Sequence, residues 1–166
     1  MKNYYKIVNR YQAEKLIRFL NFLIDYIVVI LIQYLIGIMI GLLYYSTQSS
    51  FMYKIILAIN DRLFAWIFSV IVFLIYYTTL EFFTKGRSVG KFITGTTVVK
   101  DDGSLPTSND FLKRNLIRIV PFDTLSFLGS HGWHDSWSDT KVVKRKAFLE
   151  ALERENSIED IGQIAS

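Results

Sequence analysis

Two long apolar stretches, each interrupted by a single carboxylate, limit what this chain can become. The first runs from Phe19 to Tyr45 and contains Asp25; the second runs from Leu63 to Phe83 and contains Glu81. Each is long enough to cross a hydrocarbon core, which takes ~20 apolar residues as a helix. An ionised acid in such a setting costs at least ~2.5–3.5 kcal/mol, so each must find a partner, a water-filled space or a proton. The first stretch is too long for the apolar segment of a secretory signal, and no small-residue cleavage site follows it. It is expected to remain attached.

Composition supports a single domain in a membrane. Apolar residues make up 51% of the chain and are concentrated in the two blocks. Many aromatic rings lie toward the block ends, including Tyr44, Tyr45, Trp66, Tyr76 and Tyr77, where they are expected at the headgroup level. Cysteine is absent, which excludes disulfides and thiolate metal sites. The net charge of +4 reads as basic flanks touching anionic lipid headgroups, not as a nucleic-acid surface.

The basic residues also give an orientation. Lys2, Lys6, Arg10, Lys15 and Arg18 precede the first block, and only Lys54 and Arg62 lie between the blocks. Lys85, Arg87, Lys91, Lys100 and a cluster from Lys141 to Lys146 follow the second. This asymmetry puts both termini in the cytoplasm. The segment around Ser46–Arg62 then lies outside, too short to span, resting on the outer face or covering the helix ends.

Within the first block, Arg18, Asn21 and Asp25 share one helix face. Arg18 and Asp25 are ~10 Å apart along the axis, so a direct ion pair needs side-chain reach or mediation by Asn21. Gly37 and Gly41 form a small-xxx-small pattern on another side. Glu81 reads as a second acid near Asp25, close in depth to Arg18. The turn Gly86-Arg-Ser-Val-Gly-Lys91 invites comparison with a phosphate loop. However, three residues separate its glycines instead of four, and Phe92 follows the lysine instead of Ser or Thr. Nucleotide binding is therefore not assigned.

Beyond the turn, Thr96-Thr-Val-Val-Lys100 and Thr140-Lys-Val-Val-Lys144 read as partner strands of a small ribbon, the first followed by an Asp101-Asp-Gly103 turn. A ribbon alone is marginal and must pack on something. Residues 111–120 are amphipathic, with Ser108 or Asn109 available as a cap and Pro121 ending the helix. Together with the apolar run Phe122–Leu128 they read as an interfacial or partly inserted third segment, the alternative being a true third crossing that would move the C-terminus outside, against the basic cluster at Lys144-Arg-Lys146. The chain from Ala147 onward reads as a charged helical tail with a narrow stripe of Phe148, Leu149 and Leu152.

His131, His134, Asp135 and Asp139 make the only metal-like grouping. The segment from Gly129 to Trp137 reads more simply as an interfacial loop, and no metal or other cofactor is assigned. With no nucleophile–base arrangement and no carboxylate pair facing a groove, no catalytic residue is assigned either, and the chain does not read as an enzyme.

The ordered set of motifs resembles the RDD family, named for one arginine and two aspartates. Arg18 and Asp25 fit the arginine and first aspartate at the first membrane helix. Gly86 to Lys91, then Gly95 and Val98-Val99, fit the turn and strand after the second. Arg114 fits a basic position in the following helix, and His134-Asp135, Thr140 and Val142-Val143 fit the closing motif. The segment Ser136-Trp-Ser-Asp139 departs from the family pattern, which is more basic and apolar there, so no role is carried onto Asp139. The resemblance implies a bacterial cytoplasmic-membrane protein with a suspected transport role and no defined ligand.

The expected architecture is an all-α membrane protein. It comprises a transmembrane helical hairpin (about 19–45 and 63–83), the third segment and a short cytoplasmic β-ribbon. Residues 1–15 form a cytoplasmic tail, 16–144 the membrane domain and 145–166 a charged cytoplasmic tail. The expected charge cluster is Arg18, Asp25, Glu81, Arg114 and Asp135, supported by Asn21, Gly86, Gly90, Lys91 and His134. It would serve ion or proton handling, or act as a staple in an accessory subunit in which Arg18 pairs with Asp135. Two crossings enclose no path, so transport would need a homo-oligomer or a membrane partner.

Overall fold

The computed structural model describes residues 4–117 and 139–164. In chain order the elements are α1 (Tyr4–Arg10), α2 (Lys15–Thr47), α3 (Ser50–Asn60), α4 (Arg62–Phe83), α5 (Val89–Thr94), β1 (Thr96–Lys100), α6 (Ser108–Ile117), β2 (Thr140–Lys144) and α7 (Arg145–Ile164). The expected run Phe122–Leu128 and most of the segment from Gly129 to Asp139 lie outside the described residues.

The two apolar blocks are α2 and α4, both long and apolar enough to cross a membrane. They invert the pattern of a soluble helix. In α2 the buried residues are Asn21, Asp25 and Val29, spaced by four on one face. Leu31, Leu35, Met39 and Leu42 are exposed. Only 6% of the apolar window of α2 and 11% of that of α4 are buried. A core helix of a soluble domain would be covered nearly all round, whereas these helices suit lipid.

The helices run antiparallel, because Gln33 meets Ser69 while Asp25 meets Tyr76 further along α4. Val29, Val72, Tyr76 and Tyr77 form the contact, with Ile32, Ile36 and Phe68 packed around it. Gln48 ends α2 in the left-handed region (φ 49°), its N–H donating to Tyr44. Asp61 starts α4 by accepting from the Phe64 N–H at 3.0 Å. Between them α3 packs on both long helices and has no buried residue. It thus covers the helix ends, one of its two expected placements.

The expected ribbon forms, as an antiparallel pair with Val98 opposite Val142. Its two faces are both covered. Val98 and Val142 pack with Ala13 and Ile17, at the start of α2. Val99 and Val143 pack with Val8 of α1 and Phe148 of α7. The alternation of strand side chains directs these two sets to opposite faces.

Three details differ from the expectations. The cap of α6 is Thr107, not Ser108 or Asn109: its Oγ1 accepts from the Asp110 N–H, and Asp110 accepts from the Thr107 N–H at 2.8 Å. This reciprocal arrangement satisfies donors at both positions. Residues 11–13, within the expected tail, pair with β2. Ala13 N–H donates to Val142 at 2.8 Å, Lys144 N–H donates to Tyr11 at 2.9 Å, and Gln12 bridges Val143. Finally, the α7 stripe is core: Phe148 is buried and Leu152 packs against the same cluster, while Leu149 stays exposed.

Candidate functional site

Where α2, α4 and α5 meet, Asp25 is buried with 1% exposure. Its Oδ1 accepts from the Tyr76 hydroxyl at 2.7 Å and the Gly90 N–H at 2.8 Å. Its Oδ2 accepts from the Tyr77 hydroxyl at 3.1 Å and the Ser88 hydroxyl at 2.5 Å. A carboxylate offers about four acceptor sites, so the protein occupies this one fully. The rings of Tyr76 and Tyr77 stand edge to face at 5.1 Å between centroids. That geometry lets two successive residues of α4 reach one carboxylate.

Tyr76 and Tyr77 were expected in a headgroup belt. They are instead 8% and 1% exposed. A buried carboxylate needs donors, and a tyrosine hydroxyl supplies one while its ring fills apolar space.

The chain reaches this site by a turn that glycine makes possible. Gly86 has φ 94°, and a Cβ there would stand 3.1 Å from the Val98 carbonyl oxygen. Its N–H donates to Glu81 O at 2.7 Å, and its carbonyl accepts from Val98 N–H at 3.2 Å. The turn delivers Ser88 and Gly90 to Asp25 at the first turn of α5. In a phosphate loop the corresponding helix start would hold an anion; here it holds the chain's own carboxylate. Gly90 also permits α5 to lie directly on α2, since a Cβ would be 2.3 Å from the Asn21 carbonyl oxygen.

Asn21, one turn before Asp25, does not mediate between Asp25 and Arg18. Its Nδ2 donates to Thr96 Oγ1 at 3.0 Å, and its Oδ1 accepts from the Thr94 hydroxyl. Arg18 is half-buried, and no pair joins it to Asp25. Among the described residues Asp25 and Arg18 are therefore not joined directly or through Asn21. The four donors already surround the carboxylate, and Asn21 is taken by the strand and helix that follow the turn.

Glu81 is fully buried and does not reach water. It pairs with Lys91, itself 2% exposed. The two acids are thus placed in adjoining but separate settings: Asp25 among neutral donors, Glu81 against an ammonium. Lys91 links them through the backbone, being the neighbour of Gly90. Arg114, also fully buried, donates from Nη1 to Thr140 Oγ1 at 2.8 Å, joining α6 to β2. Asn115 donates to Thr78 of α4 at 3.5 Å. His134 and Asp135 lie outside the described residues, as do His131 and the rest of the metal-like grouping except Asp139. Asp139 has φ 49° and stands just before β2.

Sequence reasoning missed Tyr76, Tyr77, Ser88, Thr94, Thr96 and Thr140 as members of the polar interior. Counting the donors a buried aspartate requires would have pointed to the paired tyrosines, which lie one helical turn before Glu81.

Outside the spans, charges behave as exposed pairs do. Glu14 is held below the usual carboxylate range by Lys144, which donates to it at 2.7 Å. Asp110 is lowered chiefly by the Thr107 N–H, and Asp102 chiefly by the Ser104 hydroxyl.

The model of the RDD family matches residues 13–139. No curated protein and no solved structure matches the chain.

Proposed function

This chain belongs to the RDD family of membrane proteins, and from that premise we infer that it is a membrane-embedded structural or accessory subunit. Its α2 and α4 form a hairpin in the bacterial cytoplasmic membrane with both termini on the cytoplasmic side. The buried polar interior staples the ribbon and its helices to that hairpin. The observation that supports this reading is the filled carboxylate of Asp25. An acid that takes up a cation must turn oxygen lone pairs toward it. Here both oxygens are already spent on Tyr76, Tyr77, Ser88 and Gly90.

A second reading, ion or proton handling, is favoured by one feature: the Glu81–Lys91 pair. Ionisable groups near the end of a membrane helix, shielded from water, mark ion pathways as a rule. The two candidate spans among the described residues enclose no path, so this reading calls for a second copy or a membrane partner.

Purified protein reconstituted in liposomes separates the two. The staple reading expects no cation or proton flux above empty vesicles from the wild type, and a lowered melting temperature for Asp25→Asn. Flux that depends on the wild-type protein and vanishes in a folded Asp25→Asn or Lys91→Met variant overturns it in favour of ion handling.

A further inference from the structure

The turn between α4 and α5 carries Arg87, a residue the polar interior does not use. Its guanidinium carbon lies 3.6 Å from the centroid of the Phe92 ring. Stacking of this kind holds the planar group flat and leaves its N–H edge free to meet an oxyanion in a forked fashion. The Nε of Arg87 is buried and has no hydrogen-bond partner among the described residues. A buried, unmatched cationic donor is costly, and an anion would satisfy it.

A second arginine is joined to the end of the same short helix. Arg145, the first residue of α7, is anchored through its N–H to the Gly95 carbonyl at 3.0 Å, and its side chain is exposed. Among the described residues neither Arg87 nor Arg145 enters an ion pair. The two repel: burial first and Arg145 second push Arg87 below the ordinary arginine range. Lys144 and Lys146, the chain neighbours of Arg145, line an open groove of about 370 Å³ with Ile17, Thr94, Gly95, Ala147 and Glu150; neither arginine lines it.

The surroundings tell a lipid phosphate from a dissolved one. Phe92 and Ile93 are 49% and 68% exposed. An apolar collar beside paired arginines matches the boundary between acyl chains and headgroups. A soluble phosphate would use the arginines and leave the collar bare.

We propose that Arg87 and Arg145 bind the phosphate of an anionic phospholipid headgroup, with Phe92 and Ile93 against its acyl chains. The proposal rests on the membrane reading but on neither reading of Asp25.

The test is retention of lipid by the full-length protein in detergent micelles, read by native mass spectrometry. The added lipid is phosphatidylglycerol or phosphatidylcholine, and a third arm adds inorganic phosphate alone. The wild type is expected to retain phosphatidylglycerol preferentially. Arg87→Gln and Arg145→Gln should each lower that preference about fivefold, the order of what one juxtamembrane basic residue contributes. Lys54→Gln, an equal loss of charge on α3, should leave it unchanged. Arg145→Gln carries the test should Arg87→Gln fail to fold, because its side chain lies at the surface. An unchanged preference in the double variant, or an equal loss in Lys54→Gln, overturns the site. Displacement of the lipid by inorganic phosphate at equal concentration overturns the lipid assignment. Partition of the wild type into water without detergent would overturn the membrane reading itself, a result distinct from these.

Discussion

Gly90 meets the backbone of Asn21 so closely that a single methyl group on it would stand 2.3 Å from the asparagine carbonyl oxygen. The contact brings α5 onto α2 and so presents Ser88 and the Gly90 amide to Asp25. Gly90→Ala is therefore expected to push α5 away and strip two of the four donors from the carboxylate. Overpacking alone costs ~1–3 kcal/mol, and the exposed acid adds to it. Gly37→Ala, at a site with nothing within 4 Å, serves as the comparison. Yield of monodisperse protein and melting temperature in detergent should fall for Gly90→Ala only.

Asp25→Leu should cost more than Asp25→Asn. Leucine leaves Tyr76, Tyr77, Ser88 and Gly90 all without their acceptor, at ~1–3 kcal/mol for each donor that stays buried. Asparagine keeps one oxygen and the shape. Thermal unfolding of the two variants, side by side, checks the order.

Glu81 and Lys91 should behave as a coupled pair. Breaking a buried pair at one end costs ~3–5 kcal/mol, because the other charge is left behind. Lys91→Met and Glu81→Met are each expected in that range. The double substitution should be less damaging than the sum of the two. A double-mutant cycle on chemical unfolding measures the coupling, and simple additivity would rule it out.

Phe148→Ala should release α7 from the ribbon. The ring is 2% exposed and packs on Val8, Val99 and Val143. Removing a buried phenyl costs ~3–5 kcal/mol. Limited proteolysis should then cut near Lys144–Lys146 while α2 and α4 stay intact.

Asp110 gives a pH dependence of defined sign. Its pKa is lowered from 3.8 in the folded state, chiefly by the Thr107 N–H. A depressed carboxylate contributes stability that is complete above the unfolded value and is lost as pH falls through the folded one. Wild type and Asp110→Asn should differ at neutral pH by ~0.3–1 kcal/mol, the order for an acid at a helix start. Their melting temperatures should converge as pH falls below the lowered folded-state value.

The sequence was readable wherever a repeating pattern reports burial. Lys15–Thr47 and Arg62–Phe83 stand out because lipid asks for unbroken apolar helix. Thr96–Lys100 and Thr140–Lys144 stand out because each is short, branched and bounded by turns. What pattern does not report is which donor an acid chooses. Asp25 was visibly buried, yet Arg18 was its nearest apparent partner along the helix, and the true donors lie 51 to 65 residues away. Tyr76 and Tyr77 look the same in sequence whether they anchor in headgroups or donate to a carboxylate. Residues 4–13 looked like a tail because their share of the core comes from a few side chains, Val8 and Ala13 with Ile7 and Tyr11, too few to make a sustained hydrophobic period.

Asn9 and Lys141, joined at 2.8 Å, are 132 residues apart in the chain. The strand edge at Tyr11–Ala13 likewise waits for Val142 and Lys144. During synthesis Asn9 and the Tyr11–Ala13 edge therefore wait for β2 to make these bonds, although Val8 and Ala13 can already pack on Val99 and Val98 of β1. Both apolar helices lie between these partners in the chain, so α2 and α4 are made while this module is still open. Any tether that holds Asn9 and Lys141 apart at that moment would trap a species whose long helices are made but whose ribbon is unfinished.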